Sequence, residues 1–174
     1  PALELDLQLN GVRLVGRLDG LWPGAQVAAQ YGRLASRHEL RIFIRHVVLG
    51  CAVRERPELG LPESSVLIGR NDKGAGVVRF EPLADPHTLL RDMLEVYAAA
   101  LRAPLPLFAA ASWRYVEVLR KEGEGPQPLS AAREAYTSGG FRRYQSADDR
   151  DPYVQQLYPD FDAVLELQPG VFEK

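Results

Sequence analysis

VRLVGRLDGLWPGAQVAAQYGR, residues 12–33, reads as two β-strands joined by a tight turn. Successive side chains of a strand point to opposite faces, so Arg13, Val15, Arg17 and Asp19 share one face of the first strand, with Leu14, Gly16 and Leu18 on the other. Gly20 and Trp22-Pro23-Gly24 interrupt the pattern, and Gln26 to Arg33 resumes it as a further strand. Gln30 and Gly32 lie two residues apart on one face of that strand. Asp19 is the single carboxylate of the whole stretch.

On the N-terminal side, Leu3, Leu5, Leu7 and Leu9 alternate with polar residues, and Asn10-Gly11 is a strong hairpin signal. A strand over Leu3 to Leu9 is therefore expected to pair antiparallel with Val12 to Leu18, and Gln26 to Arg33 to complete a three-stranded meander. On the C-terminal side, Ser36 with Glu39 three residues on reads as a capping box opening a helix. Leu40, Phe43, Ile44, Val47, Val48 and Cys51 give that helix an apolar face to pack on the meander.

Beyond a loop from Pro57 to Glu63, Ser65 to Arg70 and Val77 to Glu81 read as a second hairpin around Asn71-Asp72-Lys73-Gly74. Asp85-Pro86 opens a helix whose apolar face is Leu89, Leu90, Met93, Leu94, Tyr97 and Leu101, ended by Pro104 and Pro106. A shorter helix over Ala109 to Lys121 carries Trp113, Val116 and Leu119 or Arg120. Glu122 to Pro128 is a polar loop, too short to argue for two domains, and short helices follow at Ser130 to Tyr136, Pro152 to Tyr158 and Phe161 to Leu167. The expectation is one domain over residues 1–174 of α/β (α+β) class, a central mixed sheet of about five strands flanked by helices, with a helical C-terminal part.

The composition, 46% hydrophobic and 25% charged over 174 residues, is that of an ordinary soluble globule. No apolar run approaches the roughly 18 to 20 residues that cross a bilayer, and no secretion signal opens the chain, so a soluble cytoplasmic protein with no membrane partner is expected. One cysteine, Cys51, excludes an internal disulfide and a clustered cysteine metal site. A net charge of -2 gives no global attraction to nucleic acid. The basic residues are arginine apart from Lys73, Lys121 and Lys174, which suits planar contacts to phosphate and equally follows from a compositional bias. The chain starts at Pro1 inside an alternating pattern, which reads as a fragment of a larger chain with part of its surface a former interface.

A metal-dependent phosphodiesterase holds Mg²⁺ with two or more hard oxygen ligands, often with a lysine to orient the attacking water. An acid at one strand end, followed by acid-x-Lys on the next strand, supplies that set. Here Asp19 stands alone, Gln30 and Gly32 occupy the other places, and none of the three lysines is placed to compensate. Glu4 and Asp6 on the neighbouring strand are the remaining carboxylates that could serve. His38, His46 and His87 lack metal-ligand spacing; His46 and Cys51 read as packed groups beside the apolar helix face. No metal ligand set and no cofactor motif stands out, because Gly74-Ala75-Gly76 belongs to a hairpin and not to a phosphate loop.

Two stretches could meet nucleic acid. Arg37, Arg41 and Arg45 recur at i, i+4 and i+8, where like charges repel by a few tenths of a kcal/mol unless an anion or phosphate compensates; a solvated helix face is the plain alternative. Gly139-Gly140 followed by Phe141, Arg142, Arg143 and Tyr144 combines backbone freedom with guanidiniums and aromatics that suit a single strand, or forms a loop whose aromatics anchor the core.

With these residues in view, the chain resembles the carboxy-terminal domain of the exodeoxyribonuclease V gamma subunit, the RecC family. The likeness runs from about Gly16 to Tyr158. It rests on Gly16-Arg17-Leu18; on Leu40, Phe43, Ile44, His46, Val47 and Cys51; on Ser65-Val66-Leu67 and Phe80-Glu81-Pro82-Leu83; and on the run from Tyr97 to Leu107. Trp113, then Ala131, Arg133, Ala135 and Tyr136, then Asp151-Pro152-Tyr153 continue it in order.

The resemblance implies a restriction-endonuclease-like, PD-(D/E)XK core that has lost its active residues. The sister beta subunit keeps a Gly-x-x-Asp strand followed by Asp-Tyr-Lys; set on this chain, Asp19 matches the first acid and Gln30-Tyr31-Gly32 stands in place of Asp-Tyr-Lys. It further implies a non-catalytic subunit of a helicase-nuclease complex in recombinational double-strand break repair, which holds the alpha and beta subunits and guides unwound single-stranded or forked DNA. The competing readings are a metal-dependent nuclease with a rearranged site and a purely protein-binding module.

Overall fold

The computed structural model describes residues 2–9, 11–72, 74–138 and 147–167. The chain falls into two compact units, Pro1–Ala103 and Pro104–Lys174. The class is mixed α/β, with six helices and mixed strand pairing among the described residues.

In the first unit, β1 (Ala2–Leu9) and β2 (Val12–Asp19) form an antiparallel ribbon in which Leu9 lies opposite Val12. The ribbon thus has the register expected from the sequence, and Leu5, Leu7, Leu9 and Leu18 are buried on its inner face.

The expected meander stops there. Gly20 turns the chain at a φ of 75°, and its carbonyl accepts from Val27 N at 2.7 Å. A tight turn at Pro23-Gly24 then closes β3 (Leu21–Trp22) on β4 (Ala25–Arg33) after only two residue pairs. The antiparallel neighbour of β4 is therefore β3 and not β2, and its long partner is parallel β5 (Ser65–Asn71). Antiparallel β6 (Gly74–Phe80) completes a four-stranded mixed sheet of order β3-β4-β5-β6. In place of one sheet of about five strands, the described residues form a two-stranded ribbon and this sheet.

Helix α1 (Ser36–Glu55) makes the crossover that parallel pairing of β4 and β5 requires. Ser36 is its first residue and not its cap. The N-cap is Ala35, whose carbonyl accepts from His38 N and Glu39 N, while Ala35 N donates to His38 Nδ1 at 3.1 Å. With no side-chain oxygen at the cap, the imidazole supplies the return half of the box.

The buried face of α1 also differs from expectation. Ile42, His46, Val47, Val48, Leu49, Cys51 and Ala52 are buried, whereas Leu40 and Ile44 are 48% and 44% exposed. The apolar period of α1 is broad, and its buried line runs Ile42-His46-Leu49 at i, i+4, i+7, with Phe80 of β6 against both Phe43 and His46. Helix α2 (Pro86–Ala100), capped by Asp85 through Thr88 N, packs on α1 near Gly50, where an added Cβ would lie 2.9 Å from Pro86 Cβ. Leu89, Leu90, Met93 and Leu94 join that core. Tyr97 and Leu101, expected on the same face, are exposed because they lie past the part of α2 that meets it.

The second unit is helical: α3 (Ala111–Glu122), α4 (Pro126–Ser138), α5 (Pro152–Leu157) and α6 (Phe161–Leu167). Its core sets Phe108, Tyr136, Tyr158 and Phe161 edge to face at centroid distances of 5.2–5.7 Å, beside Ala111, Ala132 and Val164. Asp148 caps α3 through Ala110 N and Ala111 N, and Tyr136 donates its buried hydroxyl to the Tyr158 carbonyl. Trp113 and Val116 face outward; Ala111 and Val118 are the buried positions of α3. The polar stretch expected as a loop over Glu122 to Pro128 is shorter, because α4 already begins at Pro126, a residue suited to a first helical turn.

Candidate functional site

Asp19 ends β2 with its side chain in solvent, and Arg17, two residues earlier on the same face, donates from Nε to its Oδ1 at 2.7 Å. Its backbone carbonyl accepts from Gln26 Nε2 at 3.2 Å, which ties the ribbon to the start of β4. Gln30 and Gly32 lie further along β4, the former four residues from Gln26, or about 13 Å of strand. Asp19 belongs to the ribbon and Gln30 and Gly32 to the four-stranded sheet.

The pairing of β4 is irregular at this point. Ala29 lies opposite Ile68, but Arg33 lies opposite Arg70, so four steps on β4 span two on β5. The surplus residues bulge from the ladder, Gln30 and Gly32 half-buried and Tyr31 97% exposed. Leu34 follows on the inner side, above Gly69 and Gly76: a Cβ on Gly69 would come within 2.4 Å of its side chain.

Of the neighbouring carboxylates, Asp6 accepts two hydrogen bonds from Arg13 at 2.8 Å, which hold its pKa below the ordinary carboxylate value. Glu4 lies across the ribbon from Arg17. Among the described residues no group of three or more His, Cys, Asp or Glu is placed to hold a metal ion. No helix among them is long and apolar enough to cross a membrane. Lys121 pairs with Glu117, while Lys73 and Lys174 lie outside the described residues.

Arg37, Arg41 and Arg45 are all exposed on α1, on one face with Leu40 and Ile44. None of the three makes an ion pair with another described residue. Burial first, then the charges of Arg37 and Arg41, push the His38 pKa down, which keeps Nδ1 free to accept from Ala35 N. Arg142, Arg143 and Tyr144 lie outside the described residues.

One arrangement has no counterpart in the sequence reading. Gln26, Ser65 and His46 are buried together: Ser65 Oγ donates to Gln26 Oε1 at 3.2 Å and lies 3.0 Å from His46 Nδ1, while His46 Nε2 lies 2.9 Å from the Glu81 carbonyl. A carbonyl only accepts, so Nε2 carries the hydrogen, and His46 Nδ1 and Gln26 Oε1 share the single Ser65 hydroxyl hydrogen. Burial lowers the His46 pKa, with the Glu81 carbonyl opposing it. This chain holds β4, β5, α1 and the segment after β6 in mutual register. Strand parity alone, with Gln26 and Ser65 opposite each other on inward positions, was its only sequence signal. Cys51 is likewise enclosed, its thiol pushed up to about 11 by burial.

These features define a mixed α/β protein that carries one strand-end carboxylate and, on a neighbouring sheet, a bulged Gln-Tyr-Gly. A family model described as the RecC C-terminal domain matches residues 1–120, and the chain belongs to that family. The RecBCD enzyme subunit RecC of Mycobacterium tuberculosis, strains CDC 1551 / Oshkosh and ATCC 25618 / H37Rv, is 32% identical over 91% of this chain. The RecBCD enzyme subunit RecC of Mycolicibacterium smegmatis is 30% identical over 76% of it. The matches span 14% and 12% of those relatives' lengths.

Proposed function

We propose that the chain is the non-catalytic carboxy-terminal domain of the gamma subunit of a cytoplasmic helicase-nuclease complex of the exodeoxyribonuclease V type, acting in homologous recombination and double-strand break repair. It forms one functional domain on an inactive PD-(D/E)XK-like frame. Its work is subunit assembly, against the alpha and beta subunits, and the guiding of single-stranded or forked DNA after unwinding, without cofactor, metal or membrane.

The observation that carries the reading is the state of the strand positions. Asp19 is held by Arg17, and the Gln30-Tyr31-Gly32 segment supplies neither an acid nor a lysine and bulges from its ladder. A two-ligand Mg²⁺ site needs converging hard oxygens, and a carboxylate engaged by a guanidinium is a poor start. Arg37, Arg41 and Arg45 on α1, which pair with no other described residue, with Arg142, Arg143 and Tyr144 as further candidates from sequence, supply the phosphate contacts.

The full-length subunit, alone and with its partners, should be assayed on single-stranded and duplex DNA with Mg²⁺ or Mn²⁺. No cleavage attributable to this domain is expected; metal-dependent cleavage abolished by Asp19→Ala would overturn the reading in favour of a rearranged nuclease. Affinity for forked DNA should fall with added salt and drop several-fold in the Arg41→Ala/Arg45→Ala variant. Complete indifference to DNA at every salt concentration would leave a protein-binding module instead.

A further inference from the structure

We propose that the outer face of the four-stranded sheet, the face turned away from α1, binds a single nucleic-acid strand, with Tyr31 as a base-stacking platform and Arg70 and Arg79 as phosphate contacts. The proposal rests on the reading that the chain works on DNA, and adds to it a surface distinct from the arginine face of α1.

The two faces of the sheet are assigned by packing. Ser65 bonds to His46, and Phe80 stacks against Phe43 and His46, so Ser65, Leu67, Val78 and Phe80 look toward α1. Alternation then sends Val66, Ile68 and Arg70 of β5, and Ala75, Val77 and Arg79 of β6, to the other side. On β4 the partners of Val66, Ile68 and Arg70 are Val27, Ala29 and Arg33. Tyr31 lies in the bulged span between Ala29 and Arg33, both of this face, and is almost wholly in solvent.

Cross-strand register arranges this face in rows. Ala29, Ile68 and Val77 form an apolar row, with Ile68 42% and Val77 63% exposed. The next row on one side ends in Arg79, opposite Val66; the next on the other contains Arg70, opposite Ala75. Each lies about 7 Å from the apolar row, two strand residues away. Arg70 and Arg79 are exposed and pair with no described carboxylate, while Asp72 at the neighbouring turn is engaged by Arg33.

Exposed Ile68 and Val77 next to a row in which Val27 and buried Val66 lead to Arg79, with an exposed aromatic ring nearby and a guanidinium on either flank, match a single strand. Its bases present flat apolar faces for stacking, and its phosphates run along both sides of them. A duplex offers no unstacked base to Tyr31, and an acidic protein partner would leave the ring without a specific role. The charge pattern therefore selects a polyanion, and the aromatic ring selects the unpaired form.

The test uses the full-length subunit and an oligothymidylate carrying one 5-iododeoxyuridine. Irradiation is expected to attach the label to Tyr31, within the tryptic peptide 18–33. Tyr31→Ala should lose the adduct and weaken single-strand binding about tenfold, whereas Tyr31→Phe should keep both, since stacking needs the ring and not the hydroxyl. Arg70→Ala/Arg79→Ala should flatten the dependence of log affinity on log salt by about 1.4 units, since each single-strand phosphate contact contributes about 0.7. Retained binding with adducts only outside residues 25–80 and no response to Tyr31→Ala would overturn the proposal and leave the proposed function standing. So would a Tyr31 already shielded from nitration in the DNA-free subunit, since protein then covers the face. A subunit with no DNA affinity would overturn both.

Discussion

Gln26 Nε2 donates to the Asp19 carbonyl oxygen at 3.2 Å, a link between the β1–β2 ribbon and the four-stranded sheet beside the apolar core that Leu18 and Leu21 share. The other end of the Gln26 amide is set by Ser65 and, through it, by His46, so three buried polar side chains from β4, β5 and α1 act together.

Ser65→Ala is expected to destabilise the fold by about 1–3 kcal/mol, because two buried acceptors, Gln26 Oε1 and His46 Nδ1, lose their one donor. Urea unfolding followed by the fluorescence of Trp22 in β3 would measure it. A loss under about 0.5 kcal/mol would mean that water enters and replaces the hydroxyl.

Stability should decline as pH falls below neutrality. The folded state holds both His38 and His46 below the ordinary imidazole pKa, His46 chiefly by burial and His38 by burial and then the charges of Arg37 and Arg41. The unfolded chain, titrating near about 6.5, then binds more protons than the native one, so stability is complete above that pH and drains away below it. Acidification would force a proton onto His38 Nδ1, which accepts from Ala35 N, and so would uncap α1. Thermal melts between pH 7.5 and 5.5 should show a falling midpoint, less steep in His38→Asn; a flat profile would refute the assignment.

Two glycines with similar backbone angles should behave differently. Gly11 and Gly20 have φ values of 83° and 75°, and an alanine at either carries a left-handed strain of about 1–2 kcal/mol. At Gly11 the added Cβ meets open space; at Gly20 it would sit 2.3 Å from the Val27 carbonyl oxygen. Gly20→Ala should therefore cost clearly more than Gly11→Ala in paired denaturation curves, by breaking the turn that diverts the chain from β2 to β3.

Local patterns were readable and partner choice was not. Asn10-Gly11 announced the hairpin and its register, and Asp85-Pro86 announced the start of α2, because each is decided within a few residues. That β4 pairs in parallel with β5 across a 20-residue helix depends on contacts far apart in sequence, and alternation on β4 is the same whichever neighbour it takes. The exposed Leu40 and Ile44 follow from the same limit: periodicity offers α1 an apolar side but does not choose which line of it is buried. At the candidate site the missing acid and lysine were legible as letters. The bulge that lifts Tyr31 out was not, since it exists only relative to β5.

That bulge is clamped at its downstream end. Leu34 lies over Gly69 and Gly76, where no side chain competes for the space, and Leu34 N donates to the Arg70 carbonyl at 2.9 Å. Upstream, Ala29 is in register with Ile68. Tyr31 is thus presented by a short span fixed at both ends, so a base landing on it forfeits little backbone entropy. A protruding ring on a loose loop would have to be immobilised by whatever it bound; here folding has already done so.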